Sequence, residues 1–317
     1  MNAKRILAWS TMVIGFGLAG YLLYVGLRQY TFSDIVESVR AIPPGNLALG
    51  LFFAAASYLC LTFFDWAGVL YVGGRLAYPK IALASFLALS IGQSVGLAGL
   101  SSGAIRYRYY AHWGLDAEAV AKIVLMSGVT VGLGLAALGG AVMILNPADT
   151  AAVLKIRGTV VTLTGLGLLL ACLAYVVLAL TLRTPLKIWK WHFGMPTWRV
   201  AVMQIVVGTI NFALVSACLR EVMAASADVS YLKAATAFVL ANVAILITHA
   251  PGGLGVLEVT VRHVMGDQAS IGALVAFRVI YFLIPLAIGL PLSLVTEAVF
   301  RARKSHHAPA SSSGSAA

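Results

Sequence analysis

Long apolar runs, separated by short polar breaks that carry the charge, set the pattern of this chain. The runs cover 6–27, 46–72, 81–100, 119–145, 158–182, 200–220, 232–249 and 270–300. Most reach the ~20 residues a helix needs to cross the hydrocarbon core of a bilayer. Lys4 and Arg5 precede the first run, which lacks a small-x-small cleavage pattern and reads as a retained first span. The last run is long, and Pro285 and Pro291 are expected to bend it. Residues 305–317, SHHAPASSSGSAA, are polar and low in complexity, and read as a disordered tail.

Composition agrees with the pattern. The chain of 317 residues is 61% hydrophobic and 10% charged, with a mean hydropathy of +0.93. Soluble domains are about a quarter charged, and no soluble interior holds this much apolar surface. The expectation is an all-α polytopic integral membrane protein, one membrane domain over 1–304. The net charge of +11 does not point to nucleic acid, because the cations lie mostly at the ends of apolar runs. There they serve topology and anionic headgroup contact. Cys60, Cys172 and Cys218 show neither metal nor disulfide spacing.

Charge placement tests the number of crossings. Eight crossings leave the cations evenly divided between the two sides. If 81–113 and 232–263 instead dip in and return, Arg106, Arg108, Lys122, Arg183, Lys187, Lys190 and Arg199 join the inner side. Lys155, Arg157, Arg220 and Lys233 leave it, and the positive-inside bias is restored. Six full spans plus two glycine-broken re-entrant hairpins are therefore favoured over eight spans, with both termini cytoplasmic. The hairpins would enter from opposite faces, as in an inverted repeat.

The two breaks also carry the candidate chemistry. In 99–113, Ser101, Ser102 and Gly103 suit a turn and a helix N-cap, whose free N–H groups favour phosphate or carboxylate. On the helix that follows, Arg106, Tyr109, Tyr110 and Trp113 share one face, while Arg108 and His112 share the other. The two arginines are thus not a single clamp. Snorkelling toward headgroups competes with anion binding as their role. In 248–258, THAPGGLGVLE, Pro251 interrupts the helix and Gly252, Gly253 and Gly255 permit tight turning. Glu258 falls in the next helical first turn, as dipole compensation or as a substrate contact. Arg278 and Asp65 lie within apolar runs. An unpaired charge there costs ~2.5 kcal/mol or more, so Glu258 and Asp65 are the candidate partners of Arg278. No nucleotide-binding loop, zinc-protease or serine-hydrolase motif is present, and no catalytic residue, metal or organic cofactor is expected.

Three stretches occur together: Ser102-Gly103-Ala104-Ile105-Arg106-Tyr107-Arg108-Tyr109-Tyr110, Pro251-Gly252-Gly253-Leu254-Gly255-Val256-Leu257-Glu258 and Phe277-Arg278-Val279-Ile280-Tyr281-Phe282-Leu283-Ile284-Pro285. Together they resemble the N-terminal membrane domain of the lysylphosphatidylglycerol synthases/flippases, the multiple peptide resistance factors. The resemblance runs from about 6 to 300. It implies a lipid translocase for an anionic or aminoacylated phospholipid such as phosphatidylglycerol or lysylphosphatidylglycerol, without the synthase part and not itself an enzyme. The alternative is a lipid-binding scaffold or a subunit of a lipid-modifying pathway, with a separately encoded enzyme as partner. Homo-oligomerisation stays open. In the translocase reading, the N-terminal dipole after Ser101 and Arg108 or Arg278 hold the phosphate, and Glu258 or Asp65 attracts a cationic aminoacyl group. Such a protein belongs in a bacterial inner membrane.

Overall fold

The computed structural model describes residues 32–95, 98–182, 186–188, 191–248 and 253–306. Helices dominate, because a backbone in lipid must satisfy its own N–H and C=O groups. In chain order they are α1 (Phe32–Arg40), α2 (Pro44–Tyr71), α3 (Tyr78–Val95), α4 (Ala98–His112), α5 (Ala117–Leu145), α6 (Pro147–Leu154) and α7 (Gly158–Thr181). Then follow α8 (Trp198–Met223), α9 (Tyr231–Thr248), α10 (Val256–Met265), α11 (Ile271–Arg278) and α12 (Ile284–His306). A π-turn, Val279–Leu283, joins α11 to α12, so that Ile271–Ala302 runs as one apolar span. One small departure from the all-helical expectation lies between α7 and α8. There β1 (Leu186–Ile188) and β2 (Trp191–Phe193) pair antiparallel.

Helix directions follow from contacts at the ends. Asn46, starting α2, donates to Glu221 near the end of α8 at 3.0 Å. Tyr71, ending α2, donates to the Gly194 carbonyl just before α8 at 2.7 Å. The two helices are antiparallel. The face where α2 starts is called upper here, and the face where it ends lower.

Both glycine-broken segments are hairpins that return to the face they left. Lys80 at the start of α3 lies over the Trp113 ring beyond α4, 5.8 Å from its centroid. Near the tip, Ser101 Oγ donates to the Gly92 carbonyl at 2.9 Å. A Cβ on Gly92 would sit 2.8 Å from the Ser102 backbone nitrogen, so the legs close only on glycine. This hairpin enters from the lower face. In the second, Lys233 at the start of α9 donates to Gln268 beyond α10 at 2.7 Å, and Gln268 donates to the Asp228 carbonyl at 3.2 Å. That hairpin enters from the upper face. Among the described residues, six helices are long and apolar enough to span a membrane, α9 among them. The chain that follows α9 carries it back, so it forms the deep leg of a hairpin. The expected span at 6–27 lies outside the described residues. Of the expected tail at 305–317, Ser305 and His306 end α12 and the rest lies outside the described residues.

The architecture is therefore a repeat in opposite orientations: α2, hairpin α3–α4, α5, and then α8, hairpin α9–α10, α11–α12. The two leading helices, α2 and α8, pack on each other, and each hairpin leans its first leg on the other unit. Helix α3 packs on α12 and α9 packs on α5. Near the midpoints of α2 and α8, Ser57 donates to Asn211 at 2.7 Å and shares a hydrogen bond with the Tyr281 hydroxyl at 3.1 Å. Gly134 on α5 and Gly208 on α8 bring two backbones into contact, the dispersion-driven packing that lipid favours. Helix α7 connects the units from outside. Only Val161, Gly165 and Cys172 of it are buried.

Pro285 follows directly on the π-turn and Ile284. It has no N–H to offer the Tyr281 carbonyl four residues back. The helix widens into the π-turn just before it, and Tyr58 donates its hydroxyl to that carbonyl at 3.2 Å.

Candidate functional site

Three arginines inside the helical body each meet a carboxylate from another element. The pairs differ in how completely they are sealed.

Arg106 on α4 clasps Asp65 on α2. Its Nε lies 2.8 Å from Oδ2, and its Nη2 lies 2.9 Å from Oδ1. Tyr110 donates to the same carboxylate at 2.8 Å and Ser127 of α5 at 3.1 Å. Asp65 is 0% exposed and Arg106 3%. A carboxylate in low dielectric demands this many donors. The expectation that Asp65 attracts a headgroup cation meets a geometric obstacle, because its oxygens are already filled from within. Nor does it pair with Arg278.

Arg278 closes α11 and pairs with Glu258 of α10 through Nε and through Nη2, the latter at 2.9 Å. Nη2 also donates to the Gly253 carbonyl at 3.1 Å. Glu258 in turn accepts the Gly255 N–H at 2.9 Å, the backbone half of a capping box. Gly253 (φ +63°) adopts a left-handed turn that glycine favours. Glu258 thus compensates the first turn of α10 and, of the two candidate carboxylates, is the one that pairs with Arg278. Pro251 and Gly252 lie outside the described residues.

Arg108 on α4 pairs with Glu297 on α12 through Nε and Nη2. The arginine side chain is 39% exposed, while that of Glu297 is 9% exposed. Beside them is a cavity of about 300 Å³ lined by Arg108, His112, Glu297, Phe300 and Arg301. His112 stacks on Phe300 with centroids 3.7 Å apart. Tyr109 is buried between Trp113 and Phe300. Its hydroxyl faces Thr296 without closing a hydrogen bond of ordinary geometry.

Helix α4 starts at Ala98, so Ser101 and Ser102 lie within it and are not its cap. Ser101 binds Gly92, Ser102 is buried against Gly92, and Gly103 faces Val124. The two serines hold the hairpin shut, and Gly103 packs it on α5. Arg108 and Arg278 are also kept apart. Their partners on the last span, Glu297 and Arg278 itself, stand nineteen residues apart, ~28 Å along a helix. They cannot share one phosphate. Glu297 is the functional candidate that sequence reasoning missed. Its one local signal is Arg301, one helical turn on. Among the described residues, no group of three His, Cys, Asp or Glu side chains could hold a metal ion.

With this geometry in hand, the chain is 30% identical over 264 residues to the uncharacterized protein slr0712 of Synechocystis, covering 82% of each. It belongs to the slr0712 family. Over 303 residues it is also 26% identical to the inner membrane protein YbhN of Escherichia coli, covering 93% of this chain and 92% of that one. No protein-family model matches the chain. The slr0712 relationship extends over most of the repeat, and this member is a multi-pass membrane protein by its apolar helices.

Proposed function

We propose that this protein moves an anionic or aminoacylated phospholipid, such as phosphatidylglycerol or lysylphosphatidylglycerol, between leaflets without covalent chemistry. One observation carries the reading: two hairpins enter from opposite faces, and each brings a charged side chain paired to the last span. A headgroup crossing lipid needs polar partners at depth, and opposed re-entrant elements supply them from both sides. The motif resemblance to the lysylphosphatidylglycerol synthases/flippases supports the same substrate class. The name of YbhN supports an inner membrane, and the cation bias supports a cytoplasmic lower face. A separately encoded lipid-modifying enzyme is the natural partner.

A second reading, static lipid binding by a scaffold, is favoured by the pairing of Arg106, Arg108 and Arg278. Leaflet exchange in proteoliposomes separates the two. Purified protein should accelerate exchange of labelled phosphatidylglycerol or lysylphosphatidylglycerol over empty liposomes, and Arg108→Ala or Arg278→Ala should slow it. Exchange no faster than in empty liposomes, from folded protein, would leave the scaffold.

A further inference from the structure

The three ion pairs are unequal in one respect that points to a ligand. Asp65 accepts from Arg106, Tyr110 and Ser127. Glu258 accepts from Arg278 and from the Gly255 N–H. Glu297, among the described residues, accepts from Arg108 alone. Arg108 spends Nε and Nη2 on that contact, which leaves Nη1 without a partner among the described residues. It is also the most exposed of the three arginines, and it lines a cavity. Glu297 thus has the fewest donors of the three carboxylates. A guanidinium fork fits a phosphate by the same two-point geometry that it uses for a carboxylate.

We propose that Glu297 is a resident stand-in for a phosphate: it occupies Arg108 in the lower-face cavity until a phosphate-bearing ligand takes its place. The cavity, about 300 Å³, is at the lower end of the size of small-molecule sites. Arg301 and His112 add positive or ionisable lining. Displacement has a mechanical result, because the Arg108–Glu297 contact ties the first hairpin to the last span. Ligand entry therefore releases α4 from α12, while Arg106–Asp65 keeps α4 fixed to α2. The proposal rests on the translocase reading only for a lipid as the source of the phosphate.

The test uses the full chain in nanodiscs of phosphatidylcholine, titrated with inorganic phosphate and read by calorimetry. Glu297→Gln should bind phosphate roughly three- to tenfold more tightly than the wild type, since a competing carboxylate has been removed. Glu297→Asp, whose shorter arm loosens the pair, should fall between them, and it serves if the Gln variant does not fold. Arg108→Gln should lose the binding. A purely structural ion pair gives the opposite result for Glu297→Gln, with equal or weaker binding, and that result overturns the proposal. So does an Arg108→Gln variant that binds like the wild type. Nanodiscs containing phosphatidylglycerol identify the source: competition with inorganic phosphate means a lipid headgroup, and its absence beside intact phosphate binding means free phosphate. Tighter binding by Glu297→Gln without any leaflet exchange would end the translocase reading and leave this one standing.

Discussion

Asp65 and Arg106 are 41 residues apart in the chain and meet through two guanidinium nitrogens in a fully buried contact. The pair binds α2 to α4 at a depth where neither charge reaches water. Removing one partner strands the other, which typically costs ~3–5 kcal/mol, whereas replacing both with apolar residues is often near neutral. Asp65→Leu and Arg106→Met should each lower the melting temperature of the detergent-solubilised protein sharply, and the double variant should recover much of the loss. A double variant as unstable as the worse single one would show that the contact does not act as a closed pair.

Gly92 is the second point of closure. A valine there must push its Cβ into the Ser102 backbone, and overpacking of this kind costs ~1–3 kcal/mol. Gly128 on α5 has nothing within 4 Å of such a Cβ, so Gly128→Ala should be neutral or mildly stabilising. Thermal unfolding of the two variants side by side checks the difference.

The hairpins fix which loops share a face. In a background without Cys60, Cys172 and Cys218, cysteines at Arg75 and Ala117 should react with a membrane-impermeant maleimide from the same side. Cysteines at Asp228 and Asp267 should react from the opposite side. If α3 and α4 formed a single crossing, Arg75 and Ala117 would label from different sides.

Tyr58 and Pro285 should be energetically coupled. Tyr58→Phe leaves the Tyr281 carbonyl without its donor and should cost ~1–3 kcal/mol. In a Pro285→Ala background the helix supplies that carbonyl with its own N–H, and the same change should cost clearly less. A double-mutant cycle on thermal stability measures the coupling, and strict additivity would argue against it.

Much of this was legible in the sequence, for physical reasons. Apolar length marks a helix in lipid, and a Gly/Ser break between two such lengths marks a return. The cation bias then separated hairpins from crossings, because Arg106, Arg108 and Lys122 are hard to place otherwise. The face shared by Arg106, Tyr109, Tyr110 and Trp113 came from helical spacing alone. What stayed hidden was tertiary. The sequence offers Arg278 two carboxylates, and only the path of the second hairpin selects Glu258. Ser101 and Ser102 look like a cap because capping is local chemistry, yet the hairpin begins its return at Ala98 and uses Ser101 as a tie to Gly92. Glu297 stays hidden because a carboxylate close to Arg301 and Arg303 looks like ordinary end-of-helix charge. Its meaning depends on Arg108, 189 residues away.

Helix α7 is the least buried of the spans, yet the inversion depends on it. Each unit contains two crossings and a hairpin, so it begins and ends on the same face. Two such units joined by a short loop would lie in the bilayer with the same orientation. One additional crossing reverses the second unit and turns a tandem copy into an antiparallel partner. Apart from Gly165, where an added Cβ would meet the Gly140 carbonyl at 2.8 Å, the sequence of α7 is then free to vary as long as it remains one span. Its contribution is parity, and substitutions along it should be tolerated widely while its deletion, or its duplication, should not.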